Sequence, residues 1–411
     1  MSLSEPLRYP LAPGEFPYSP SPDLAELREK CPVPRIELPD GTVAYLATRH
    51  ADVRRVFTDP RFSRAAAAGP NRPTRELGSL VEDSLIGMDP PQHTRIRGII
   101  SGAFTARRVE ELRPRVAELI DAMIDGLEAA GPPADLVHHV SAPLPLYVIE
   151  KLFGIPHEDT DRVREWSDAL VGDWDADPEP PRAALAAFGG LIAERRKHPG
   201  DDLMSALIAA WDAQDDLTER ELISVTAGVF VGGHETTTNQ INLFLVLLSR
   251  HPEQLAGLRG DDPAAVARAV EELSRYIQLG DTGVLMPRVT TAEVELSGTR
   301  IPAGSAVLPA VVSANRDAAV FADPDRLDLA RTANANAHLG FGAGPHHCLG
   351  AALARMELQE ALGALLRRLP GLRVAVSEAA LRFKPGLVVN SLIELPVTWD
   401  TGADPHRTVA G

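Results

Sequence analysis

Apolar positions along the chain recur every three to four residues over long stretches and alternate only over short ones. The pattern predicts a mainly α protein with small β-sheets. Helical spacing covers 107–130, 142–154 and, in several pieces, 160–213, where the acidic, proline-rich stretch 173–181 interrupts it. A long apolar helix is predicted over 218–250, another over 263–276, and an amphipathic one over 349–368 that stops at Leu369-Pro370. Strand patterning marks 35–49 as a hairpin around Pro39-Asp40-Gly41, whose residues supply turn chemistry. It returns with turn glycines at 293–312 and in the tail at 381–399. With no repeat, low-complexity linker or clean boundary, residues 1–411 read as one large domain. Residues 1–24 are expected to be an extended lead-in and 401–411 a flexible tail.

Composition narrows the classes. Of 411 residues, 44% are hydrophobic and 24% charged, ordinary values for a folded globular chain. A net charge of −16 argues against nonspecific binding to nucleic acid or anionic membrane. The proline-rich start lacks a charged segment followed by an apolar run, so neither signal peptide nor membrane anchor is expected. The most apolar stretch, 222–248, is broken by Gly232-Gly233-His234-Glu235, which points to a buried helix rather than a membrane span. Two cysteines, Cys31 and Cys348, are too few for a disulfide framework at this size, and a reduced, cytoplasmic setting follows.

One of those cysteines sits in FGAGPHHCLG, residues 341–350, at the start of a predicted helix. Helix N-termini carry unpaired N–H groups and partial positive charge, both favouring thiolate over thiol. Gly342, Gly344 and Gly350 let the backbone take positive φ and approach something flat and close. A buried, inert cysteine among turn glycines is the bland alternative. A zinc site lacks spaced partners, because His346 and His347 are adjacent and no CxxC exists. A cysteine-phosphatase loop needs arginine where Ala354 stands; Arg355 comes one residue late, rotated by about 100° on a helix. An axial haem thiolate, with glycines clearing space for the macrocycle, is the third reading.

Inside the long helix, VGGHETTT (231–238) places glycines and threonines where they are poor helix formers. A threonine hydroxyl can bond the carbonyl four residues back, which for Thr236 belongs to Gly232, leaving a groove with a hydroxyl and a carboxylate mid-helix. His234-Glu235 begins a zinc-protease HExxH, but the second histidine position is Thr238.

The cysteine loop resembles the haem-binding signature of the cytochrome P450 family, with Phe341, Gly342, Gly344, His346, Cys348 and Gly350 at every fixed position. Gly232, Gly233, Glu235 and Thr236 resemble that family's distal oxygen-binding groove. Glu272-Leu273-Ser274-Arg275 matches its ExxR, a spacing that Glu110–Arg113 shares by chance. Asp89 to Arg97 resembles its DPPxHTRxR segment, with Asp89 expected as the helix cap, and 313–324 adds a further similar stretch.

The resemblance implies a single domain with haem b between the long distal helix and the proximal cysteine loop. Cys348 would be the axial iron ligand, with Phe341 on the proximal side near the sulfur. His93, Arg97, Arg288 and His346 would neutralise the haem propionates. Thr236 and Glu235 would form a proton relay, the carboxylate reaching solvent. Glu272 and Arg275 would be structural, with Arg331 a candidate third member. The substrate walls would include the loop at about 66–87, Val229, Gly233, Val284 and Val388. The implied activity is monooxygenation, hydroxylating or epoxidising a mostly apolar small molecule such as a secondary metabolite. Electrons would come from NAD(P)H through separate ferredoxin and ferredoxin reductase proteins, since no flavin or iron–sulfur segment is fused, and the protein would act as a monomer. Two other readings keep the haem: an oxidase for C–C or C–O coupling or peroxide-driven oxidation, and a non-enzymatic haem sensor.

Overall fold

The computed structural model describes residues 5–16, 18–68, 84–155, 160–171, 179–213, 218–258, 262–277, 279–280, 286–384 and 389–401. Helices dominate. They are α1 (Asp23–Lys30), α2 (His50–Thr58), α3 (Ala65–Ala68), α4 (Gln92–Ser101), α5 (Ala106–Ala130), α6 (Pro143–Phe153) and α7 (Thr160–Val171). There follow α8 (Glu179–Lys197), α9 (Leu203–Asp212), α10 (Glu219–Arg250), α11 (Pro252–Ala256), α12 (Pro263–Tyr276), α13 (Val311–Ala314) and α14 (Ala351–Arg368). Helical residues begin at Asp23, inside the expected extended lead-in, whose Leu7–Arg8 forms a strand.

The predicted hairpin is present. Strands β2 (Arg35–Glu37) and β3 (Val43–Ala47) pair antiparallel, and Gly41 takes the turn at φ 83°. With β1 (Leu7–Arg8), β4 (Phe62–Ser63), β6 (Arg288–Thr290) and β9 (Ala306–Pro309) they build a sheet in the order β1-β2-β3-β9-β6-β4. Between β6 and β9, β7 (Val294–Leu296) and β8 (Thr299–Ile301) make a separate hairpin. The expected strand run at 293–312 ends in a helical turn, α13. In the tail, β11 (Pro396–Thr398) pairs with β10 (Arg373–Val374) and β5 (Ala134–Asp135). Phe383 and Leu392 bridge antiparallel across the segment that brings Lys384 and Ser391 together.

The 32-residue α10 is about 48 Å long at 1.5 Å per residue and starts with a reciprocal capping box between Thr218 and Glu221. Its two halves belong to different cores. Leu222, Val225 and Phe230 pack with Phe153 of α6 and Phe188 of α8, while Leu243, Phe244 and Leu248 pack with Ile120 and Ile124 of α5 and Leu365 of α14. Apolar burial on both sides, worth roughly 1.5–3 kcal/mol per large side chain, holds the middle of the helix in place although 232–240 is rich in polar residues. No helix among the described residues is long and apolar enough to cross a membrane.

Candidate haem and oxygen site

A cavity lies between the middle of α10 and the loop preceding α14. Cys348 forms its floor with Phe341, Gly342 and Gly350; Val229, Gly232, Gly233 and Thr236 face it from α10; His93, Arg97 and His346 stand at its edge. The loop is built by short-range bonds. Gly342 and Gly344 have φ of 70° and 68°, and a Cβ on Gly344 would come within 2.5 Å of the Phe57 carbonyl oxygen. Gly350 departs from expectation: its φ is −85°, and it serves as the N-cap position of α14 with open space where a Cβ would be. The Cys348 N–H donates to the Phe341 carbonyl at 2.8 Å. Cys348 is enclosed by protein yet open to the cavity. Burial pushes its thiol up, while the Gly350 N–H, Arg97 and Arg355 oppose that and favour the thiolate a metal ligand must be.

The edge of the cavity gathers arginine and histidine side chains without a free acid beside them. His93 is 1% exposed, and neither ring nitrogen has a hydrogen-bond partner among the described residues. Its ring lies 4.2 Å from that of His346, centroid to centroid. Arg288, at the start of β6, donates through Nη1 to the Met286 and Pro287 carbonyls and leaves Nη2 buried and unpaired among the described residues. Arg97 donates to the His347 carbonyl. The nearby carboxylate of Asp89 is already engaged, accepting from the Ser63 hydroxyl and from the Arg64 N–H. Asp89 therefore anchors the end of β4 and is not the expected cap of α4, which begins at Gln92 after Pro91. Burial, then Arg97, lowers His93 to about 4; burial, then Arg288, lowers His346 to about 2. Buried donors that the chain leaves unsatisfied call for a bound anion. Haem brings an iron that takes a soft sulfur ligand and a pair of carboxylates that suit the donors at the edge, so the residues present fit that group.

On α10, the Thr236 hydroxyl donates to the Gly232 carbonyl at 2.7 Å, as its spacing predicts. Gly232 faces open space, whereas a Cβ on Gly233 would meet Ile149 of α6 at 2.6 Å, so Gly233 admits a close helix neighbour as well as lining the cavity. Glu235 turns the other way and is 3% exposed. Its Oε1 accepts from the Ser391 hydroxyl and lies 3.5 Å from the Lys384 Nζ. Lys384 is 37% exposed and also approaches Asp168 of α7 at 3.9 Å, so Glu235 reaches solvent through a partner and not directly. Burial raises the Glu235 carboxyl, but Lys384, Ser391 and His234 outweigh it and hold it below the usual range. His234 bonds Ser167 of α7 at 2.9 Å, and no cluster among the described residues could hold a metal ion through His, Cys, Asp and Glu.

Of the ion pairs sharing ExxR spacing, Glu110–Arg113 lies on the surface and Glu272–Arg275 is buried. Arg275 donates to Glu272 at 2.7 and 2.8 Å, and Arg331 joins at 3.0 Å. The 313–324 segment supplies the Asn315 and Pro324 carbonyls to Arg275. Val229 and Gly233 line the cavity, as do Leu85 and Ile86 of the expected loop; Val284, Val388 and 69–83 lie outside the described residues. Leu279, Met286 and Val311 complete the apolar wall without any sequence signal to single them out. Glu357 of α14 also reaches the cavity; burial pushes its carboxyl up to about 8.

Residues 190–261 and 264–372 match the family model described as Cytochrome P450. Nocardicin C N-oxygenase of Nocardia uniformis subsp. tsuyamanensis is 47% identical over 383 residues, 92% of this chain and 95% of that protein. Mycinamicin IV hydroxylase/epoxidase of Micromonospora griseorubida is 46% identical over 378 residues, 91% and 94% of the two chains. The crystal structure of the cytochrome P450 hydroxylase from the leinamycin biosynthetic pathway of Streptomyces atroolivaceus superposes with a TM-score of 0.86 at 41% identity, covering 96% of this chain and 100% of that one.

Proposed function

From the premise that this chain belongs to the cytochrome P450 family and is one of its monooxygenases, we propose that it binds haem b on Cys348 and hydroxylates or epoxidises a bulky, apolar secondary metabolite. The observation that carries this reading is the cavity itself: one sulfur, one mid-helix hydroxyl and the unpartnered His93 ring, with Arg97 and His346 beside it, open onto the same space. Haem bound there would supply the redox and oxygen-activating chemistry.

The chain's own residues have separable duties. Cys348 would ligate the haem iron, with Phe341, Gly342 and Gly350 shaping the space around the sulfur. His93, Arg97, Arg288 and His346 would hold the propionates. The Thr236 hydroxyl, released from the Gly232 carbonyl, can hold a water over the cavity floor; Gly232 leaves room for it. Glu235 passes protons toward that water and is replenished through Lys384 and Asp168. Aliphatic side chains at Val225, Val229, Leu279, Met286 and Val311 exclude water and select for apolar shape. Val284 and Val388 stay candidates for that wall. Relatives named for nocardicin C and mycinamicin IV oxidation support a natural-product substrate. Electrons arrive from NAD(P)H through a ferredoxin and its reductase, and the protein acts as a cytoplasmic monomer.

The test is the spectrum of the reduced, carbon-monoxide-treated protein after supplementation with haemin. A band at about 450 nm, lost in Cys348→Ser, is expected of a thiolate-bound haem. A wild-type protein lacking that band overturns the reading.

A further inference from the structure

Arg355 stands one residue too late for a phosphate-binding loop and packs against the cysteine loop. Its guanidinium carbon sits 4.3 Å from the centre of the Phe341 ring. It is held there by Glu271 of α12, which accepts from Nε at 2.6 Å and from Nη2 at 3.1 Å. The same carboxylate meets Nε2 of His338 at 2.9 Å, and Nδ1 of that ring accepts the Gly340 N–H at 3.1 Å. With Nδ1 accepting, the ring proton belongs on Nε2, so a neutral His338 satisfies the arrangement. The His338 and Phe341 rings lie 5.9 Å apart and tilted. Phe341 in turn accepts the Cys348 N–H at 2.8 Å.

Two adjacent acids on α12 thus anchor different parts of the molecule. Glu272 takes Arg275 and Arg331, far from the sulfur in the network, while Glu271 takes Arg355 and His338, which bracket the aromatic residue bonded to Cys348. We propose that Arg355, gripped by Glu271 and His338 against Phe341, is a positioning residue that also biases the charge of the Cys348–haem unit. The inference rests on the reading of Cys348 as haem ligand.

A cation close to a centre that accepts an electron stabilises the reduced state, and an anion does the opposite. Arg355 is only 29% exposed, so solvent screens it incompletely. A plain packing role has no such sign, because loosening Phe341 from either partner would act alike.

The experiment measures the haem reduction potential of the loaded protein in Arg355→Gln, Arg355→Lys and Glu271→Gln, with the carbon-monoxide spectrum as a check on ligation. The midpoint should fall in Arg355→Gln, rise in Glu271→Gln and return most of the way to wild type in Arg355→Lys. Unchanged potentials, or shifts of the same sign in Arg355→Gln and Glu271→Gln, overturn the proposal while the band at about 450 nm shows the ligand assignment intact. Arg355→Lys keeps the test decisive should the loss of charge at Glu271 unfold the chain: a lysine shift equal to that of Arg355→Gln also overturns it. Absence of the band in wild type defeats the ligand reading instead.

Discussion

The hydroxyl of Ser391 donates a hydrogen bond to Oε1 of Glu235, across 156 residues of sequence, and fixes that carboxylate on the side of α10 away from the cavity. Lys384 stands on the same oxygen and holds Glu235 ionised against its burial. Lys384→Met should raise the Glu235 carboxyl and carry the alkaline limb of the kcat–pH profile to higher pH, because a donor of higher pKa keeps its proton further as pH rises. An unmoved alkaline limb would remove Glu235 from the proton route.

Thr236→Ala removes the hydroxyl, and one methyl with it, while leaving the aliphatic walls in place. Coupled product formation should fall about a hundredfold, the lower end of what a positioned proton donor contributes, while reductant consumption continues. Thr236→Ser should recover most of the product yield per reductant consumed.

Glu272→Gln leaves Arg275 and Arg331 buried without their shared counter-charge. Removing one member of a buried ion network costs about 3–5 kcal/mol, so denaturant midpoints and haem retention should both drop sharply. Glu110→Gln, at the same spacing on the surface, should leave them unchanged.

Glu357 is a buried acid with a folded pKa near 8 against an unfolded 4.5. The native state therefore holds a proton that the unfolded state releases between those values, and stability declines as pH rises through the window. Glu357→Gln should be more stable than wild type by up to about 3 kcal/mol at pH 7, with the gap closing below pH about 4.5. Thermal or urea unfolding across pH measures it.

Local signals carried much of this in the sequence. Helix periods gave 263–276 to the residue, turn chemistry gave the β2–β3 hairpin, and the i−4 rule gave the Thr236–Gly232 bond. Fixed offsets marked out the cysteine loop and, by position, the buried Glu272 among otherwise indistinguishable acidic pairs. What stayed hidden depends on contacts between distant segments. Asp89 looks like a cap until β4 is seen to claim its carboxylate. Glu235 looks solvent-seeking until the tail folds over it. Glu357 is one acid among many on an amphipathic helix, and only burial sets it apart. Gly350 shares the look of its loop neighbours, but its φ belongs to a helix start.

Much of the cavity wall is aliphatic, built of valine, leucine, isoleucine and methionine, while sulfur, basic rim and hydroxyl come from other positions. Exchanging one aliphatic residue for another alters the accommodated shape by methylene steps, each worth about 1–3 kcal/mol of discrimination. Descendants of this chain could thus acquire new cargo by small pruning and regrowth of hydrocarbon, leaving the engine beneath untouched.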